Sequence, residues 1–282
     1  MKKAKGLVVC MLLFFCSTVF SQKKLDPKYE NWYKSSRLET NEMIIEVEDV
    51  NAQANICKLK IKMTNKTNDY ILYKPAETEF IYSFGSFHPK AGLELINGKN
   101  ELLKPKETDS RILTIKGDTR FQVDSFDIKF NGFYRIPAKG KVENAPNFQL
   151  PASVNSFEAG AFKVLMTSVS QKTKETSIHF KVSYAKDAKH YAVVNLGKAV
   201  LKLQDGREFA MSNQKDKQEL IADGDDEKIK YEFQIPASIV DMQFANMQLV
   251  WKDTFTESES AEVALDKMTL VIDPGMTQGK NK

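Results

Sequence analysis

Apolar and polar residues alternate with a period of two through most of the chain after residue 41. Met43, Ile45 and Val47 alternate with Ile44, Glu46 and Glu48. Cys57, Leu59, Ile61 and Met63 share one face, with Lys58, Lys60 and Lys62 on the other. Successive side chains of a strand point to opposite faces, so this pattern predicts half-buried strands rather than helices. Further strands are predicted over 70–73, 80–84, 93–96, 110–115 and 125–130. The grammar restarts near residue 158 with Phe162, Val164 and Met166, then Ile178, Phe180, Val182 and Tyr184. Tyr191 to Asn195, Ala199 to Leu203, Ile229 to Ile235, Met247 to Trp251, and Leu270 with Ile272 complete a second block. Asn97-Gly98 and Asp205-Gly206 read as hairpin turns, one near the middle of each block.

Short strands with turns at this spacing predict an all-β chain of two tandem β-sandwich domains, 42–137 and 158–273. Their shared order of events reads as a distant duplication at an offset of about 118 residues, the distance between matching amphipathic strands. Residues 138–157, with Gly140, Pro146 and Pro151, read as a linker. In the N-terminal segment 22–41, Asp26-Pro27 resembles a helix cap. Tyr29, Trp32 and Tyr33 follow at i, i+3 and i+4, predicting a short helix with one aromatic stripe. That stripe either packs on the first block or docks a partner. Residues 274–282 read as a polar tail.

The first twenty-one residues change how the charge is read. Lys2, Lys3 and Lys5 precede an apolar run from Leu7 to Phe15, and Val19-Phe20-Ser21 closes the segment. This is the form of a secretory signal peptide, residues 1–21, with cleavage expected after Ser21. Phe15 before Cys16 argues against lipidation of Cys16, because such a cysteine ordinarily follows a small residue. The whole chain has 41 Lys+Arg, 37 Asp+Glu and a net charge of +4. Loss of the three signal lysines, with no acidic residue lost, brings the charge to +1. A nearly neutral exported surface argues against nucleic acid as a partner. No later run is long and apolar enough to span a bilayer as a helix. Cys10 and Cys16 leave with the signal, so Cys57 alone remains and an intramolecular disulfide is excluded. Its face in the strand makes it a core thiol.

Candidate chemistry is sparse. His88, His179 and His190 have no metal-ligand spacing, and nucleophile elbows and phosphate loops are missing. No catalytic, cofactor-binding or metal-binding residue is assigned, and no cofactor is expected. The acidic run Asp223-Gly224-Asp225-Asp226-Glu227 reads as a charged turn before the strand at Ile229, with a calcium site as the alternative. Asn65-Lys66-Thr67 fits a glycosylation sequon and marks a surface turn.

The segment Leu103-Lys104-Pro105-Lys106-Glu107-Thr108, ahead of Arg111-Ile112-Leu113-Thr114-Ile115, resembles the loop-to-strand turn of immunoglobulin-like sandwiches in bacterial extracytoplasmic proteins. Lys106 stands where glycine is common in that turn. The signal ending Phe20-Ser21 before Gln22 is similar to those of Bacteroidetes exports. The resemblance implies two tandem immunoglobulin-like domains and no catalytic residue. The expectation is a periplasmic or extracellular non-catalytic protein for binding, adhesion or envelope assembly. Its partner would be another envelope or extracellular protein, or a glycan. The alternative is a carbohydrate- or small-ligand-binding protein, with Trp32, Trp251 or surface tyrosines stacking on sugar. A hydrolase working in an interdomain cleft is the remote alternative.

Overall fold

The computed structural model describes residues 26, 28–83, 85–87, 93–117, 121–212 and 218–282. The signal segment, Cys16 and His88 lie outside them. Among the described residues the fold is antiparallel β-structure in one six-stranded and five four-stranded sheets, arranged as two sandwich-like units.

In the first unit, Asn31–Trp32 and Ser36–Glu39 both pair with Met43–Ala52. Ile56–Asn65, Thr108–Lys116 and Glu94–Ile96 follow in that order across the sheet. Opposite it lie two consecutive sheets. One orders Lys267–Val271, Ser125–Lys129, Glu79–Tyr82 and Gly85–Phe87. The other orders Ala261–Glu262, Phe133–Ile136, Tyr70–Tyr73 and Glu101–Leu103. The inward set Ile45, Val47, Cys57, Leu59, Ile61 and Met63 is fully buried against Phe80, Phe126 and Ile128. On the solvent side the lysines meet glutamates across the strands: Lys60–Glu48 and Lys62–Glu46, both at 2.8 Å. Two of the three lysines of the stripe are thus locally neutralised.

The second unit repeats the plan. Ser156–Ala159, Phe162–Lys172, Glu175–Tyr184 and Asp226–Gln234 form one sheet. Facing it are Phe148–Leu150, Met247–Trp251, Ala199–Leu203 and Glu208–Ala210. Beside these run Lys141–Glu143, Phe255–Glu259, His190–Asn195 and Gln218–Ala222. Trp251 packs among Phe157, Phe180, Tyr231 and Phe255 at centroid distances of 5.2–5.6 Å. Its indole N–H donates to the Pro146 carbonyl at 2.9 Å, so it serves the core.

Both units break a central strand with a short 3-10 turn, Pro75–Glu77 in one and Leu196–Lys198 in the other. At each break an amide donates across to the neighbouring strand's own interruption. Lys74 N–H reaches the Gly132 carbonyl and Asn195 N–H the Thr254 carbonyl, both at 2.8 Å. Gly132 sits at φ +88°, where an added Cβ would lie 2.5 Å from the Lys74 oxygen. Glycine is required there by conformation and by space.

The chain order differs from two beads on a string. Residues 138–157 do not form a free linker, because Lys141–Glu143 and Phe148–Leu150 are edge strands of the second unit. Phe148 and Leu150 are buried in its core. The strand Lys267–Val271, read with the second block, pairs along its whole length with Ser125–Lys129 of the first. Met268 and Leu270 enter the first core. The second unit therefore sits inside the first, between Phe133–Ile136 and Ala261–Glu262, which pair with each other. Leu270 and Ile272 are legible as a strand and residues 138–157 are not, and periodicity carries no information on which edge a strand fills.

The ends differ as well. No helix forms after Asp26; a single turn closes with Tyr29 N–H on the Asp26 carbonyl at 3.0 Å, then Asn31–Trp32 pairs as a strand. Tyr33 turns inward and donates to the Val123 carbonyl at 2.8 Å, while Trp32 lies on the other face. The segment 274–282 is a helix over Pro274–Lys280, capped by Asp273, whose carboxylate accepts from Met276 N–H at 2.9 Å. Thr277 of that helix accepts the Trp32 amide at 2.9 Å. Asn97-Gly98 is not a hairpin: the strands before and after it join different sheets. Asp205-Gly206 does join two paired strands. Lys106 adopts φ +62°, the backbone conformation for which glycine is favoured.

Leu270→Ala should lower the unfolding free energy by about 2–5 kcal/mol, the range for truncating a buried leucine. Val271→Ala, at a side chain 47% exposed, should change it by about 0.5 kcal/mol or less. Urea denaturation of the two variants checks this.

Candidate functional site

Two apolar strands are buried on both faces, as is the polar Phe255–Glu259 along its first four residues. In Tyr70–Tyr73 every residue is buried. Ile71 and Tyr73 enter the first core, whereas Tyr70 and Leu72 face away from it. In His190–Asn195 the run Tyr191 to Val194 is buried. Ala192 and Val194 enter the second core, and Tyr191 and Val193 face out. The outward residues of both strands meet, with Ile136, in a third apolar cluster. This cluster joins the two units. A strand covered on both faces loses its alternation and reads as a continuous apolar run, which Tyr-Ile-Leu-Tyr and Tyr-Ala-Val-Val are.

At one side of this contact the units part to leave a cleft of about 390 Å³. Leu72 and Leu102 of the first unit and Tyr191 and Leu220 of the second give it an apolar floor. Lys74 and Asn100 stand on one wall, Asp223 and Asp225 on the other. The Lys74 ammonium lies over the Tyr134 ring, 4.6 Å from its centroid. Tyr134 donates to Glu77 at 2.6 Å, and that carboxylate, together with burial, raises the phenol's pKa. Deeper in, the Tyr70 hydroxyl donates to Gln218, which donates to Asn195 at 2.5 Å, so a polar chain crosses between the units.

The acidic run is split by this geometry. Gly224, at φ +80°, turns the chain, its N–H on the Tyr184 carbonyl at 2.9 Å. Asp223 accepts from Lys186 N–H at 2.7 Å and Asp226 pairs with Lys181 at 2.5 Å. Among the described residues no group of three His, Cys, Asp or Glu is placed to hold a metal ion. His179 bonds Ser168 at 3.0 Å and His190 pairs with Asp187 at 2.8 Å, on different sheets. Cys57 is wholly buried, and burial pushes its thiol up to about 12. Asn65 of the sequon is buried, not a surface residue. Its amide nitrogen donates to the carbonyls of Asp69 and Lys104 at 2.7 and 2.9 Å, which shuts it off from glycosylation.

One buried carboxylate lies where the chain crosses between units. Glu257 is 8% exposed, accepts the Tyr184 hydroxyl at 3.1 Å and is bonded by the Lys186 ammonium. Burial alone would raise its pKa; the Lys186 and Tyr184 contacts outweigh burial and hold it below the usual glutamate value. Gly140 packs directly on the Glu257 carbonyl, where a Cβ would lie 2.0 Å away. Ser258 donates to the Pro137 carbonyl at 2.7 Å, pinning the outgoing and returning chains together.

No protein-family model matches the chain, and neither does any curated protein. Among solved structures it is similar to a conserved domain protein from Bacillus anthracis. That match is 9% identical, covers 87% of this chain and 93% of that one, and has a TM-score of 0.21. The protein pT26-6p matches at 8% identity, 86% and 65% coverage and a TM-score of 0.22. A BuGH86 structure in complex with neoagarooctaose matches at 9%, 86% and 36%, with a TM-score of 0.16. TM-scores this low mark no shared fold, and none of the three bears on the role of this chain.

The cleft residues Lys74, Asn100, Leu102 and Leu220 carry no motif. Their one signal in the sequence is the pair of uninterrupted apolar runs beside them. A folded-state pKa held low gives Glu257 a stabilising contribution present above its unfolded value and lost as pH falls through the folded one. Lys186→Met should therefore cost stability at neutral pH, where it strands a buried carboxylate, and much less in acid below the carboxylate range. Urea denaturation at the two pH values checks the difference.

Proposed function

We propose that this chain is an exported, non-catalytic binding protein that holds a small ligand in the cleft between its two units. The observation that carries the reading is the cleft's construction. It has an apolar floor and few, opposed polar groups, supplied jointly by both units, which is the usual make-up of a small-molecule site. Its volume falls within the range of about 300–1,000 Å³ typical of such sites. The units themselves are read as immunoglobulin-like sandwiches, the second inserted into the first. Support comes from the strand order across the six-stranded sheet and the opposing sheets. Export rests on the form of residues 1–21.

A glycan is the second reading, at a different place. Phe244 is 77% exposed at the far end of the second unit. It borders a hollow of about 440 Å³ with Arg207, Asp241 and Asn246. An exposed aromatic face beside hydrogen-bonding groups suits stacking on a sugar.

Native mass spectrometry of the protein purified after export separates the two. Wild type should carry a small molecule that Leu220→Trp, which fills the cleft, lacks while keeping its circular dichroism and melting temperature. A load unaffected by Leu220→Trp but removed by Phe244→Ala would overturn the cleft in favour of the glycan site.

A further inference from the structure

The charge arrangement in the cleft narrows the ligand. Its two walls belong to different units and carry opposite signs: Lys74 on the first, Asp223 and Asp225 on the second. Elsewhere in the first unit, Lys60, Lys62 and Lys66 each meet a glutamate within 2.9 Å. Lys74 instead meets the face of Tyr134, and among the described residues no carboxylate pairs with it. The Asp225 carboxylate likewise has no cationic partner among the described residues. Between these groups lies the apolar floor of Leu72, Leu102, Tyr191 and Leu220.

A ligand seated there displaces water from both walls. An anion would satisfy Lys74 and strip water from Asp223 and Asp225 without replacing it; a cation would do the reverse. Leaving a charge desolvated and unpaired is costly, so each single-sign ligand is penalised by the far wall. A neutral polyol leaves both walls unpaired and sets hydroxyls on leucines. A compound with an ammonium at one end, a carboxylate at the other and an aliphatic body matches all three surfaces.

On the reading that the cleft is the binding site, we propose that its ligand is an aliphatic zwitterion, an apolar amino acid or short apolar peptide. Its ammonium faces Asp223 and Asp225, its carboxylate meets Lys74 and Asn100, and its side chain rests on Leu102 and Leu220. The opposed walls act as repulsive filters as much as attractive ones.

Titration calorimetry of the full exported protein tests this with L-leucine and leucyl-leucine. Isoamylamine and 4-methylpentanoate serve as the single-charge halves. At least one zwitterion should bind, and both halves should bind more weakly. Lys74→Met and Asp225→Asn should each weaken the zwitterion by about tenfold or more, the loss expected for one charge-assisted contact. An unchanged melting temperature in each variant shows that the fold is kept. Halves that bind as well as the zwitterions would overturn the proposal, as would variants that leave affinity unchanged. Neither zwitterion binding, while a Leu220-dependent load persists, would overturn the zwitterion and leave the cleft reading standing. Neither binding with no such load would remove both.

Discussion

Tyr70–Tyr73 has no face left for water, and the relation between the two halves of the molecule follows from that. Ile71 and Tyr73 belong to one core while Tyr70 and Leu72 belong to the contact with the other half. Its counterpart, Tyr191 to Val194, divides its side chains the same way. Neither strand could be exposed alone without wetting a strip of tyrosine, leucine and valine. Contact between the units is therefore fixed by the same residues that build the cores. The cleft inherits this fixity, because Leu72 and Tyr191 belong to both the contact and the cleft floor.

The nested order of the chain adds a second restraint. Two separate crossings join the units, and they run close together where Ser258 reaches the Pro137 carbonyl. Gly140 allows that approach, since any side chain there would meet the Glu257 backbone. A single linker permits swivelling; a pinned pair does not. Both units also share the interrupted central strand and the amide that bridges the interruption. At the bridge the first unit uses Gly132 and the second uses Asp253, each at positive φ.

The alternating strands were legible because a buried face and a wet face impose a period of two. Cys57, Leu59, Ile61 and Met63 lie where that period puts them, and Trp251 packs, partly buried, against the core that holds Leu249 and Met247. Pairing partners were not legible. Phe148–Leu150 is too short to stand out from the linker pattern around it, and Lys267–Val271 looks like any short strand; only the completed sheets show which edge each one fills. The caps make a sharper case. Asp26-Pro27 and Asp273-Pro274 carry the same signal, yet a helix follows only the second. After Asp26, the chain is drawn into pairing with Ala52 and Asn51, and tertiary pairing overrides the local preference. The lysine at 106 is the reverse instance: the turn keeps its left-handed residue although the usual glycine is missing. As for the cleft, its charged groups are ordinary surface residues until the two units are brought together.

The pinned crossing also bears on how the first unit is assembled. Two of its paired strands, Ser125–Lys129 and Lys267–Val271, are separated by roughly 140 residues, a loop whose closure from an unfolded chain carries an entropic penalty that grows with length. Once the inserted unit has folded, its entry and exit are held side by side, and the effective loop shrinks to the few residues on either side of the crossing. The inserted unit is thus a splint for its host: it raises the local concentration of Ala261–Glu262 and Lys267–Val271 at the two sheet edges they fill. The inner half can condense first, and the outer half is sealed by the strands that follow it in the chain.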